Sequence, residues 1–212
     1  MIGPSSSHTA GAVRLAQLAR NIANGPIQQV EFTLYHSFAK TYQGHGTDRG
    51  LLAGILGIHV DDESIRDIFQ TAEASGLRYR FIPYEEPNHY PPNTVRFDIV
   101  LKNGETLAVV GHSIGGGKVY ISQINDYNVS LRGEYPTLVM FYHDQPGMIW
   151  QVTKIIAEEH INIASLNCSR KAKGTEAFMT ICLDTLLPAA QVALIRQIPG
   201  VYTVCNVDKI QS

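Results

Sequence analysis

Apolar residues recur along this chain with periods that name the elements beneath them. Ala12, Leu15, Ala16, Ala19, Ile22 and Ala23 keep helical spacing. This predicts a first helix that ends near Asn24-Gly25, with Gly25 as its left-handed terminal residue and Pro26 blocking continuation. From residue 27 to 36 the period falls to two. Val30, Phe32 and Leu34 take one face and Glu31, Thr33 and Tyr35 the other, as in a half-buried strand. Leu51, Leu52, Ile55 and Leu56 predict a short helix. Asp61-Asp62-Glu63 should open another, around Ile65, Ile68 and Phe69, that stops at Gly76. Tyr79, Phe81 and Pro83 read as a strand, and residues 84–93 as a proline-rich connector. Val95, Phe97, Ile99 and Leu101, the Asn103-Gly104 turn and residues 107–110 form a hairpin pattern. A further strand is expected at 119–124.

Beyond a polar connector at 125–135 the pattern changes. A strand apolar on both sides holds Leu138, Met140 and Tyr142, and His143 to Gly147 turns into a helix with Ile149, Val152, Ile155 and Ile156. Residues 161–170 and 177–184 read as strands around a basic hairpin tip at 171–175. Pro188 suits the first turn of a second helix bearing Val192, Leu194 and Ile195, which Pro199-Gly200 ends before a strand at 201–207. The order βαββαβ predicts a ferredoxin-like sandwich. The fold class is therefore α+β. An N-terminal α+β domain spans 1–125, a linker 126–135 and a ferredoxin-like domain 136–212.

Composition narrows the function classes. With 44% hydrophobic and 17% charged residues in a chain of 212, the sequence is that of an ordinary globular protein. A formal charge of −2 offers no electrostatic case for nucleic acid or an anionic membrane surface. No apolar run reaches the roughly 20 residues of a membrane helix. The N-terminus lacks a basic region and an apolar signal core, so a cytoplasmic protein is expected. Cys168, Cys182 and Cys205 are odd in number and far apart, as reduced core thiols would be. No Cys-x-x-Cys or similarly compact set is present to hold a metal or cluster.

Three polar stretches carry the candidate chemistry. In Gly3-Pro4-Ser5-Ser6-Ser7-His8-Thr9, five consecutive hydrogen-bonding side chains stand just before a helix. Such a stretch is either a plain N-cap with spare serines or an anion site on the helix N-terminus. In Gln43-Gly44-His45-Gly46-Thr47-Asp48, two glycines leave the His45 imidazole uncrowded, and Asp48 either caps the next helix, orients His45, or does both. In His112-Ser113-Ile114-Gly115-Gly116-Gly117, three glycines form either a tight turn or a backbone that approaches a ligand or neighbouring chain. All three stretches are expected in connections, where sites usually sit.

In this order the three segments resemble those characteristic of the β subunit of iron–sulfur-dependent L-serine dehydratases. The resemblance covers about the first 125 residues, a domain termed allosteric-substrate-binding in that family. Members usually carry a short segment before the position of Gly3, whereas this chain starts at Met1. The C-terminal part, with Asp144-x-Pro-Gly147 and Ile161-Asn162-Ile163, resembles an ACT domain. In that family Asp144, Gly147 and Asn162 match the ligand groove, and the module serves either effector binding or subunit pairing.

The resemblance implies conversion of L-serine to pyruvate and ammonia. A [4Fe-4S] cluster on a partner α subunit would make the hydroxyl a better leaving group. It further implies Ser5, Ser6, Ser7, His8 and Thr9 either as the carboxylate-binding loop of the active site or as a regulatory serine site, and His45, with Asp48, as the proton handler. Ser113, Gly115 and Gly116 are implied as an interface loop, and homotypic pairing is implied for the ACT domain. The alternative is a non-catalytic amino-acid-binding regulatory protein.

Overall fold

The computed structural model describes residues 9–59, 61–86 and 88–210. The chain divides into two units, with the boundary between Arg132 and Gly133.

In the first unit, helix α1 (Thr9–Ala23) leads into strand β1 (Ile27–Tyr35), short helix α2 (Ser37–Thr41) and helix α3 (Thr47–Leu56). A 3-10 turn (Glu63–Asp67) and helix α4 (Ile68–Ala74) precede β2 (Arg78–Tyr84), β3 (Thr94–Leu101), β4 (Thr106–Gly115), β5 (Lys118–Ile124) and β6 (Tyr127–Leu131). The six strands form one sheet in the order β2-β1-β3-β4-β5-β6. Only β1 and β2 run parallel, and helices fill that crossover as a parallel connection demands. The alternation read from β1 holds. Val30, Phe32 and Leu34 are fully buried, and Phe32 lies opposite Phe97 of β3 with its ring edge-on.

Helix α1 packs on β4 and β5 and, along its length, on α3. Glycines set that closeness. A Cβ on Gly50 would stand 2.8 Å from the Thr9 carbonyl, and one on Gly54 would stand 2.3 Å from that of Val13. Because position 50 meets Thr9 and position 54 meets Val13, the two helices run parallel and start at the same end.

Several expectations shift. Asn24, at φ 49°, takes the left-handed position after α1 in place of Gly25, since Asn tolerates that region too. The acid-rich start at 61–63 yields a 3-10 turn before the helix, with Asp62 accepting the Ser64 N–H at 2.8 Å. β4 continues past the expected Val110 as far as Gly115, so His112 and Ser113 lie in a strand and not in a connection. Much of the expected linker is strand β6, antiparallel to β5, because pairing absorbs polar residues on an exposed face.

The second unit follows the expected βαββαβ order: β7 (Thr137–His143), α5 (Met148–Glu158), β8 (Ile163–Arg170), β9 (Glu176–Leu183), α6 (Ala189–Arg196) and β10 (Val201–Val207). The sheet order is β10-β7-β9-β8, antiparallel throughout. Leu138, Met140, Val152, Ile156, Met179, Ile181 and Ile195 form its core between sheet and helices. Burying each such side chain contributes about 1.5–3 kcal/mol. Pro188 is the N-cap of α6, one position before its expected place. Cys205 is buried, but Cys168 is exposed on the edge strand β8, so it is not a core thiol.

Candidate functional site at the start of helix α1

Ser5, Ser6, Ser7 and His8 lie outside the described residues. Thr9, the last member of that run, opens α1 and fixes the place to which the run leads. Its hydroxyl donates to the His45 carbonyl at 3.0 Å. That bond ties the first polar stretch to the second. His45 is half-buried in the turn before α3, and Gly46, at φ 67°, is the N-cap of that helix. The Tyr42 carbonyl accepts the N–H groups of Thr47 and Asp48.

The third stretch closes on α1 from the other side. Arg14 Nη1 donates to the Gly117 carbonyl at 2.7 Å. Ser113 Oγ stands 2.1 Å from where a Cβ on Gly11 would be, so only glycine lets helix and strand meet here. Ser113 is therefore a buried packing residue of β4 and not part of a loop. Gly115 (φ 96°) ends the strand, and Gly116 (φ 60°) forms the turn with open space around it.

Three stretches far apart in sequence thus meet at the N-terminus of α1. The N-terminus of α3 lies beside it, and the aligned peptide dipoles of both helices make the region favourable for an anion.

Asp48 is buried in the first turn of α3, behind the Gly46 N-cap, and its Oδ1 accepts the Arg49 N–H at 2.8 Å. Burial pushes its carboxyl above the usual range, outweighing the Arg49 N–H and charge.

Sequence reading did not single out the environment of His112. Its ring is 2% exposed and lies 4.6 Å from that of Tyr120. The Thr94 hydroxyl donates to the Pro91 carbonyl at 2.7 Å, so toward His112 Nδ1, at 2.6 Å, it must accept. Neutral His112 therefore carries its proton on Nδ1, and Nε2 accepts the Ser122 hydroxyl at 2.6 Å. Burial drives its pKa down from 6.5 to about 4.

The sign of the resulting pH effect follows. Between those values the unfolded chain binds the extra proton, so stability falls as pH drops through the window. The loss is on the order of 2–3 kcal/mol. Urea midpoints at pH 7 and pH 5 should therefore differ more for the wild type than for His112→Gln. Equal differences in the two proteins would remove this assignment.

Two further residues escaped the sequence pattern. His36, just after β1, adopts φ 50° and ψ −116°, outside the small left-handed well and costly for a residue with a side chain. Asn93, just before β3, adopts φ 58°. No local sequence signal marks the His36 backbone, whereas Asn tolerates the left-handed region that Asn93 takes.

In the second unit the Asp144 carboxylate accepts the Gly174 N–H at 3.0 Å and Arg170 Nη1 at 2.9 Å, which in that order hold it below the usual carboxylate range. It thus pins the hairpin tip. Gly147, at φ 84°, is the N-cap of α5 near Asp144. Asn162 lies elsewhere. Its carbonyl accepts the Asp184 N–H just past the far end of β9, whereas Asp144 adjoins that strand's start. At about 3.3 Å per residue, roughly 20 Å of strand separates them. One copy of the chain does not bring the three together.

Among the described residues, no group of three or more His, Cys, Asp or Glu side chains is placed to hold a metal ion. The three cysteines are spread over β8, β9 and β10 and form no cluster cradle. Among these residues no helix is long and apolar enough to cross a membrane.

Comparison with known proteins matches residues 1–123 to the family model "Serine dehydratase beta chain" and residues 137–200 to "ACT domain". The chain is 42% identical over 184 residues to "L-serine dehydratase, beta chain" of Peptoniphilus asaccharolyticus, covering 87% of this chain and 83% of that one. It is 36% identical over 208 residues to "Probable L-serine dehydratase, beta chain" of Bacillus subtilis, covering 98% and 93%. The solved ACT domain from GTP pyrophosphokinase of Chlorobium tepidum covers 34% of this chain and 94% of its own, at 19% identity and a TM-score of 0.28.

Proposed function

Because the chain belongs to the serine dehydratase beta chain family, we propose that it is the β subunit of a cytoplasmic L-serine dehydratase that forms pyruvate and ammonia. The meeting of all three polar stretches at the paired N-termini of α1 and α3 carries this reading. A substrate carboxylate placed there meets helix-dipole charge and is proposed to take hydroxyl bonds from Ser5, Ser6 and Ser7, with His8 beside them, while the Thr9 hydroxyl holds the His45 carbonyl. His45, held by its own backbone carbonyl, takes the α-proton. Loss of that proton and of the β-hydroxyl gives an enamine, which tautomerises to an imine and hydrolyses to pyruvate and ammonia.

The described cysteines and carboxylates do not form a cluster site, so we assign a [4Fe-4S] cluster to a partner α subunit. Such a cluster, held by the α subunit, would supply Lewis-acid chemistry at the substrate hydroxyl. Gly115 and Gly116 are proposed to face that partner. In the ACT domain, homotypic pairing would bring Asn162 of one copy toward Asp144 and Gly147 of another, completing an effector groove.

The test is anaerobic co-expression with the cluster-bearing α subunit, followed by assay of pyruvate from L-serine. The copurified pair should be active and neither chain alone. Failure both to copurify with an α subunit and to stimulate one would favour the amino-acid sensor.

A further inference from the structure

We infer that Arg14 is a positioning residue: it holds the three-glycine turn after β4 in the conformation in which Ile114 meets the cluster-bearing α subunit, an assignment that rests on the partner proposed above. The turn is poorly able to hold itself. Gly115 and Lys118 pair across the hairpin, and Gly116 and Gly117 between them take φ 60° and 73°, positive at both positions as in a type I′ turn. Gly115 adds a third positive φ, of 96°. Three glycines in a row leave a backbone of wide conformational freedom and no side chain to pack. A methyl on Gly116 would meet nothing within 4 Å, so the tip stands in open space. A bond from outside the hairpin fixes it. Arg14 Nη1, from half-buried Arg14 on α1, donates to the Gly117 carbonyl at 2.7 Å across 103 positions of sequence. Gly117 is fitted to that bond, since a Cβ there would stand 2.7 Å from the same nitrogen.

Ile114 gives the fixed turn something to present. Ser113 pairs with Val119 and Gly115 with Lys118, so Ile114 is the extra residue of a β-bulge in β4. Bulges re-aim a side chain and are over-represented next to active sites. This one leaves Ile114 57% exposed, although isoleucine is among the residues most often buried. The Arg14 bond and the contact of Ser113 with Gly11 set the turn beside the start of α1, where the proposed reaction needs groups from a second chain. A branched apolar side chain on an ordered turn fits an apolar pocket of that chain. Ordering the turn beforehand lowers the entropy cost of association.

Two measurements test this. Backbone hydrogen exchange on the chain alone follows the turn. Exchange over residues 115–118 should quicken about tenfold or more in Arg14→Gln, which removes the charged donor, and stay near the wild-type rate in Arg14→Lys, which keeps one. Titration with the α subunit follows the docking. Ile114→Ser and Arg14→Gln should each weaken association about tenfold, and Arg14→Lys should recover most of that loss. Unchanged exchange in Arg14→Gln would overturn the role of Arg14, and wild-type affinity in Ile114→Ser would overturn the docking. A lowered Tm of the isolated Ile114→Ser chain, with affinity unaltered, would mean that the chain's own residues cover Ile114, and also counts against docking. If the wild-type chain binds no α subunit, the proposed function fails and the docking with it. Exchange then still decides whether Arg14 holds the turn.

Discussion

His45→Ala should lower pyruvate formation by the αβ complex roughly 10²–10⁴-fold, the range that a positioned proton-transfer group supplies. The complex and its cluster absorbance should persist. The loop that carries His45 is fixed through its backbone: the Thr9 hydroxyl bonds the His45 carbonyl, and the Tyr42 carbonyl holds the first N–H groups of α3. Asp48 accepts the Arg49 N–H in the first turn of α3. Removing the ring leaves these backbone bonds in place and takes away the side chain proposed to handle the proton. The loss should fall on kcat more than on KM, and deuterium exchange at the serine α-carbon should stop in the variant. Near-normal turnover, or unimpaired exchange, would remove His45 from this role.

Gly54→Ala should be the most damaging small substitution for stability. The new methyl would lie 2.3 Å from the Val13 carbonyl oxygen, 2.5 Å from Ala16 Cβ and 2.9 Å from the Gln17 nitrogen. Two of these are backbone atoms of α1, and neither can swing aside as a flexible side chain would. The helices must separate, at a cost of about 3 kcal/mol or more, the upper range for overpacking. For a chain of this size that lowers Tm by roughly 6–12 °C. Gly104→Ala serves as the control. Its added methyl meets nothing within 4 Å and is strained only by a φ of 89°, so the loss there should be about 1 kcal/mol. Separation of α1 from α3 also shifts Thr9 away from His45, so activity should fall together with stability. A Gly54→Ala protein that melts with the wild type would mean that the two helices do not pack this closely.

Much of the second unit was legible before any coordinates. Its strands are short and alternate cleanly, its turns carry Gly and Pro, and its βαββαβ order admits few topologies. In the first unit the hairpin at Asn103-Gly104 and the face of β1 were equally plain. The misses have physical causes. The sequence pattern hides β6 because an edge strand carries polar residues on its exposed face. The extension of β4 through His112 and Ser113 was hidden because glycines that usually break strands here let one approach a helix. His36 holds a positive φ outside any well that its residue type favours, so its residue type gives no sign of it.

Local order in the chain settled which groups could do chemistry: hydroxyls before a helix, an imidazole between glycines, a glycine-rich turn. Each of these is a property of adjacent residues and can be read within a few positions. What the chain order could not supply was their convergence, the bond from the Arg49 N–H to Asp48, or the distance between Asn162 and Asp144. Those depend on contacts between residues tens of positions apart, such as Thr9 with His45 and Arg14 with Gly117. Such contacts form only when helices α1 and α3 close on one another through glycines and both meet the sheet.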